Sequence, residues 1–181
     1  AIKELREAGE CQFSLGKNPD DLVEGADLIV VSPGVPTDSP FIIKALNSGI
    51  EVISEVELAY RYCKAPIIAI TGTNGKTTTT ALVGEILKAS GRRTHVVGNI
   101  GVPFTALVEE MAEEDVTVAE VSSFQLETIA NFKPKVSMVL NLSEDHLNRH
   151  KTMENYIAAK ARIFENQDSN DYLILNGDDP L

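Results

Sequence analysis

Seven consecutive residues, Gly72, Thr73, Asn74, Gly75, Lys76, Thr77 and Thr78, lie between an apolar strand-like run, residues 65–71, and a helix-like run opening at Thr77. Strand, glycine, glycine-lysine-threonine and helix in that order is a layout for holding phosphate. The glycines let the backbone curl so that its N–H groups face one anion, the helix start adds partial positive charge, and Lys76 adds a full one. The hydroxyl of Thr77 is placed to meet a magnesium ion. The plainer alternative is a glycine turn between a strand and a helix. The common pattern has a glycine five residues before the second one. Ile70 stands there in this chain, so the loop is a shortened variant that points away from most GTPases and toward a narrower ATP-using group.

Four further groups of residues have chemical potential. Glu120 closes an apolar strand, where a carboxylate is costly to bury unless it meets a cation such as the ion that bridges ATP phosphates; an exposed strand-end acid is the alternative. His146 follows another apolar strand in Asn141-Leu142-Ser143-Glu144-Asp145-His146 and is either a metal ligand or a structural histidine. In the helical run from Thr152, Met153, Tyr156, Ile157 and Phe164 form an inward stripe and Lys160 falls on it. A lysine there either snorkels outward or finds a buried partner. Burial favours the neutral amine, which can add carbon dioxide to become an anionic carbamate able to hold magnesium. Asn99, in Gly98-Asn99-Ile100-Gly101, sits in a polar turn before a helix-like stretch begun by Pro103; by itself that is also a well-made turn.

The elements that must position these residues alternate between β-branched runs and helical stretches. Strands are predicted at 26–31, 50–53, 65–71, 94–97, 116–121, 136–140 and 172–175. Helices are predicted at 39–48, 55–62, 77–90, 103–111, 124–131 and 152–166. Such alternation implies an α/β fold with a mostly parallel sheet covered on both faces. Its ligand belongs beyond the carboxyl ends of the strands, where the residues above collect.

The 181 residues are 43% hydrophobic with a formal charge of −11, enough apolar content for one full domain or two incomplete ones. The charge and the absence of a basic stripe argue against a nucleic-acid partner. No apolar run is long enough for membrane insertion and the first six residues are not a signal peptide. Cys11 and Cys63 fit unpaired thiols in a reducing cytoplasm. The pattern restarts near Cys63 to Ala65, so residues 1–63 are expected to be the later part of one α/β domain and 64–181 the first part of another. The chain begins in a helix-like segment and stops just after a strand, so it is expected to be a piece of something larger.

GTNGKTT, GNIG, EVSSFQLE, LNLSEDHLNRH and NYIAAKARIFEN, in this order and spacing, resemble the Mur ligases of peptidoglycan synthesis. SPGVP with SSFQLE is most similar to the members that add D-glutamate. The resemblance runs from about Ala26 to the chain end. It implies a partial Rossmann-like UDP-sugar-binding domain, followed by part of a P-loop ATP-binding central domain, with the C-terminal amino-acid-binding domain absent. It also implies an ATP-dependent, ADP-forming ligase that joins D-glutamate to UDP-N-acetylmuramoyl-L-alanine through an acyl phosphate, this piece alone being inactive.

On individual positions, the resemblance puts Lys76 at the β and γ phosphates. It gives one magnesium to Thr77 and Glu120, and a second to His146 and a carbamylated Lys160. Asn99, Ser122 and Gln125 then line the cleft near the muramoyl-alanine end, and Ser32, Pro33 and Gly34 form a loop of the UDP-binding domain. The alternatives are another Mur-type or a folylpolyglutamate-type ligase, or a nucleotide-binding module that makes no bond.

Overall fold

The computed structural model describes residues 21–179, together with 5, 7, 9 and 11–16. The helix-like beginning expected at residues 1–6 and the last two residues fall largely outside these. After the short helix α1 (Asp21–Glu24), strand β1 (Leu28–Val31), helix α2 (Pro40–Asn47) and strand β2 (Glu51–Ser54) form a β-α-β unit. β1 and β2 pair in parallel with Val31 opposite Ser54. Helix α3 (Glu55–Tyr62) leaves β2 with no intervening loop. Ser54 is at once the last strand residue and the cap, its hydroxyl accepting the Glu57 N–H at 3.3 Å.

The second sheet has five strands. They are β3 (Ile67–Thr71), β4 (Thr94–Gly98), β5 (Val116–Glu120), β6 (Val136–Val139) and β7 (Tyr172–Leu175), in the order β4-β5-β3-β6-β7. Every pairing among them is parallel. Helix α4 (Lys76–Ala89) follows β3, α5 (Ser123–Leu126) follows β5, and α6 (Leu147–His150) and α7 (Met153–Ala161) connect β6 to β7. With β3 at the centre, the register sets Ile70 beside Glu120 and Thr71 beside Val139, and Gly98 also lies beside Glu120. The phosphate-type loop, the end of β5 and the turns after β4 and β6 therefore emerge on one side.

Each expected strand is present within two residues of its expected bounds, whereas three helical expectations need correction. Residues 103–111 form two 3₁₀ turns, Phe104–Ala106 and Val108–Glu110, instead of one α-helix. Their anchors Phe104, Val108 and Met111 are all buried, and the Thr105 N–H and hydroxyl both bond the Glu55 carboxylate; tertiary fixation overrides helical propensity.

The helix expected over 124–131 is only α5. Beyond it, the carbonyls of Leu126, Glu127 and Ile129 accept from the Arg162 guanidinium, and the N–H groups of Ala130, Asn131 and Phe132 donate to Glu57. Two charged side chains thus take the backbone groups that a longer helix would have paired internally. The expected run 152–166 becomes α7 followed by a 3₁₀ turn, Arg162–Phe164. The four-residue helices α1 and α6 carried too little periodicity to be expected at all.

Glu57 is the central buttress of this arrangement. It is fully buried, and its carboxylate accepts the three consecutive N–H groups of residues 130–132 at 2.8–3.1 Å and the Arg61 Nε at 3.0 Å. It fastens α3 to the segment after β5 against the apolar cluster of Val56, Ala59, Phe104, Leu126, Phe132 and Ile163. Removing the carboxylate orphans those donors in a dry interior. Glu57→Ala is expected to lower the unfolding free energy by about 3–5 kcal/mol, with Glu57→Gln losing less because it keeps one acceptor oxygen; urea denaturation monitored by circular dichroism measures both.

Candidate functional site: a lysine-rich pocket at the strand ends

The loop after β3 is shaped by two glycines. Gly72 has φ 145° and Gly75 φ 82°. A Cβ on Gly72 would stand 3.1 Å from the Leu140 side chain and 3.3 Å from two backbone nitrogens, so the loop can lie directly on the end of β6. Asn74 and Asn141 lock the two together reciprocally: the Asn74 N–H donates to the Asn141 carboxamide at 2.9 Å and the Asn141 Nδ2 donates to the Asn74 carbonyl at 3.0 Å. The Thr73 hydroxyl accepts the Ser143 N–H at 3.0 Å and lies 3.1 Å from the Tyr156 hydroxyl. The first intrahelical bond of α4 runs from Thr79 N–H to the Gly75 carbonyl at 2.9 Å. The amides of Lys76, Thr77 and Thr78 therefore precede any helical partner, at the positive end of the helix.

Two lysines meet above this loop. Lys76 Nζ donates to the Gly72 and Thr73 carbonyls at 3.0 and 2.8 Å, and Lys160 Nζ donates to the same Gly72 carbonyl at 2.8 Å. Lys160 is only 2% exposed, and its ammonium lies 4.6 Å from the centroid of the Tyr156 ring. Of the two behaviours open to a lysine on that stripe, it takes the buried one. Burial first, and then the nearby Lys76 charge, push its pKa down to about 7, opposed by Asp145. At neutral pH a large share of Lys160 is a free amine.

Glu120 is also buried, at 2% exposure. Its Oε1 accepts from Asn99 Nδ2 at 3.1 Å, while its Oε2 has no partner among the described residues. A buried carboxylate oxygen without a donor is an unfilled place for a cation or a hydrogen-bond donor. Its backbone is fixed by Gly98, where a Cβ would come within 2.1 Å of the Glu120 carbonyl oxygen, so β4 can meet β5 there only through glycine.

A cavity of about 220 Å³ gathers Lys76, Lys160, His146, Asn99 and Ser122 with Ser123, Phe124 and Tyr156. Thr77 and Glu120 do not line it; Thr77 is exposed in the first turn of α4. A second cavity of about 370 Å³ brings Ser32 and Pro33, from the loop after β1, to Asn99, Gln125 and Glu55, while Gly34 stands outside its lining. Gln125 is part of a capping box: its Oε1 accepts from the Ser122 N–H and hydroxyl, both at 3.0 Å. Among the described residues, no three His, Cys, Asp or Glu side chains converge as a ready metal cage.

His146 has φ 53°, a left-handed conformation rare outside glycine, and caps α6 with its side chain about half exposed. Its ring packs on Phe124 with centroids 4.9 Å apart. Sequence reasoning passed over its neighbours. His150, one helical turn on, is buried with Nε2 3.0 Å from the Ser123 hydroxyl, and burial holds its pKa below the ordinary histidine value. Arg149 reaches from α6 back to the loop after β1. The signal for both was the LNRH run itself, a basic pair one turn beyond a candidate ligand.

Comparison with known proteins places this geometry. The Mur ligase middle domain family model matches residues 70–181, and the model for the Mur ligase MurD-like N-terminal domain matches residues 1–54. The chain belongs to the Mur ligase family. It is 58% identical over 169 residues to the UDP-N-acetylmuramoylalanine–D-glutamate ligase of Thermoanaerobacter pseudethanolicus, covering 93% of this chain and 37% of that protein. It is 56% identical over 181 residues to the ligase of the same name from Clostridioides difficile, covering 99% and 40%. The chain thus spans well under half the length of these relatives. A solved Mur ligase, MurF from Thermotoga maritima in complex with ADP, shares the fold with a TM-score of 0.55 at 22% identity, over 85% of this chain and 43% of that one. Among the described residues no helix is long and apolar enough to cross a membrane.

The buried lysine of this Mur ligase chain gives a measurable pH effect. Below about pH 7 folded and unfolded chains both carry the Lys160 ammonium, and the folded chain bears the cost of burying it. Between about 7 and the ordinary 10.5 the unfolded chain alone stays protonated, so folding gains as pH rises across that window. In carbon-dioxide-free buffer, the midpoint of urea unfolding is expected to rise from pH 6.5 to 9. Lys160→Met is expected to remove that part of the rise.

Proposed function

We propose that this chain is the UDP-sugar-side and ATP-binding part of a cytoplasmic ligase that joins D-glutamate to UDP-N-acetylmuramoyl-L-alanine in cell-wall peptidoglycan synthesis. The observation that carries the reading is the convergence of Lys76, Lys160, His146, Asn99 and Ser122 on one cavity beside the Gly72–Thr78 loop. The relatives' names supply the amino acid and the acceptor, and the ADP complex of the T. maritima MurF supports the nucleotide. Residues 1–63 and 64–181 act as two domains in this reading, supported by the two separate sheets.

The reaction must bring a substrate carboxylate to the γ-phosphoryl group of ATP, negative oxygen toward negative oxygen, so the site has to concentrate positive charge. Gly72, Thr73, Asn74, Gly75, Lys76, Thr77 and Thr78 cradle the phosphates. The Lys76 ammonium leaves the Gly72 and Thr73 carbonyls for the β and γ oxygens. Glu120, with its unpartnered Oε2, and the Thr77 hydroxyl suit one magnesium ion; His146 and Lys160, once carbamylated, suit a second. The donor set fits: Glu120 offers a free buried oxygen, and an amine with a pKa near 7 is nucleophilic enough at neutral pH to take up carbon dioxide. When bound, the ions supply charge against the phosphate oxygens.

Asn99, Ser122 and Gln125 line the cleft at the muramoyl-alanine end, and Ser32, Pro33 and Gly34 form the loop at the UDP end. The product of the first step is an acyl phosphate and ADP. Attack by the D-glutamate amine on the activated carbonyl then yields the amide and releases phosphate.

In the full-length protein carrying this chain, incubation with ATP, UDP-N-acetylmuramoyl-L-alanine and D-glutamate should yield ADP, phosphate and a UDP-linked amide. A nucleotide-binding module that makes no bond would yield no such product. Lys76→Ala should cut turnover by ~100-fold or more; turnover at the wild-type rate would remove the loop from the mechanism. Lys160→Ala should be inactive and regain part of its activity with added formate or acetate, as expected if a carboxylate is what the position supplies.

A further inference from the structure

The Arg149 guanidinium makes contacts on two separate parts of the chain. Nη1 donates to the Pro33 carbonyl at 3.2 Å and Nη2 to the Val35 carbonyl at 3.0 Å, across more than a hundred residues of sequence. Nε and Nη2 both donate to the Glu127 carboxylate just beyond α5, and the guanidinium carbon lies 4.7 Å from the centroid of the Phe124 ring. Phe124 packs on His146 in turn. Glu127 also accepts from the Thr37 hydroxyl at 3.4 Å. Arg149 and Glu127 side chains are each only 15% exposed, a setting in which removing one partner leaves the other charge poorly hydrated.

We propose that Arg149 is a positioning residue that holds the Ser32–Val35 loop at a fixed place relative to Phe124 and His146, so that one guanidinium sets where the UDP-linked substrate lies with respect to the phosphoryl-transfer pocket. Among the described residues, the bond within the loop itself is Val35 N–H to the Ser32 carbonyl at 2.9 Å. Ser32 and Pro33 line the larger cavity, while Phe124 and His146 line the smaller. Arg149 therefore ties a wall of one to a wall of the other. A planar fork with five donors can serve two carbonyls and a carboxylate at once, whereas a lysine ammonium presents a single point of charge. The inference rests on the proposed function for the identity of the substrate.

The test compares wild type, Arg149→Ala and Arg149→Lys in the full-length protein. Calorimetry gives Kd for UDP-N-acetylmuramoyl-L-alanine and, separately, for a non-hydrolysable ATP analogue, and hydrogen exchange follows the Val35 amide. Both variants should weaken binding of the UDP-linked substrate by ~10-fold or more, leave the ATP analogue within about 2-fold, and speed exchange at Val35 while amides inside α4 stay protected. Unchanged substrate affinity and unchanged Val35 exchange would overturn the proposal. So would parallel loss of both ligands with a lower melting temperature, or full restoration by Arg149→Lys. A wild-type protein that forms no amide would sink the reading of function, while Val35 exchange would still judge the tether.

Discussion

The carbonyl oxygen of Gly72 receives two ammonium groups, and much of the site follows from that crowding. Lys76 comes from the first turn of α4 and Lys160 from α7, separated in sequence by β4, β5 and β6. Their meeting requires a glycine with φ 145° lying against the end of β6, and a helix α7 whose inward stripe admits a charged residue. Two cations so close in a buried setting repel each other, and the strain is relieved if either finds an anion. A triphosphate would draw Lys76 away, and carbamate formation would change the sign of Lys160 altogether. The pocket thus concentrates positive charge at the strand ends, an arrangement suited to an anion.

The acidic balance of the whole chain, −11, makes this concentration of lysines more informative. Lys76 and Lys160 converge at the strand ends, whereas several cations elsewhere are paired with acids or carbonyls. Arg61 bridges Glu51 and Glu57, Arg162 serves three backbone carbonyls and Glu165, and Lys133 faces Asp168 and Asp171. These pairs are mostly structural and half exposed, contributing little individually. Glu57 is the exception, because it is buried and anchors backbone.

Much of this was legible in the residues. The strands announced themselves through β-branched runs, and the phosphate-type loop through glycine spacing. Lys160 stood out as a charge on an apolar stripe, but whether it snorkels outward or is buried was open until the structure showed it buried. What sequence could not supply was the fate of backbone groups far apart in the chain. Nothing in residues 124–131 says that Glu57 and Arg162 will take their N–H and carbonyl groups and end the helix after one turn. Nor does LNRH reveal that Arg149 reaches Pro33 and Val35, because the contact is a property of the folded arrangement and not of local pattern. Gln125 entered only through the resemblance, as a cleft-lining residue; that its carboxamide oxygen is committed to capping emerged from the geometry.

Asn99 lines both cavities and also donates to Glu120. The two chambers consequently have one residue of their walls in common. A rearrangement of that one side chain would therefore reshape both chambers at once.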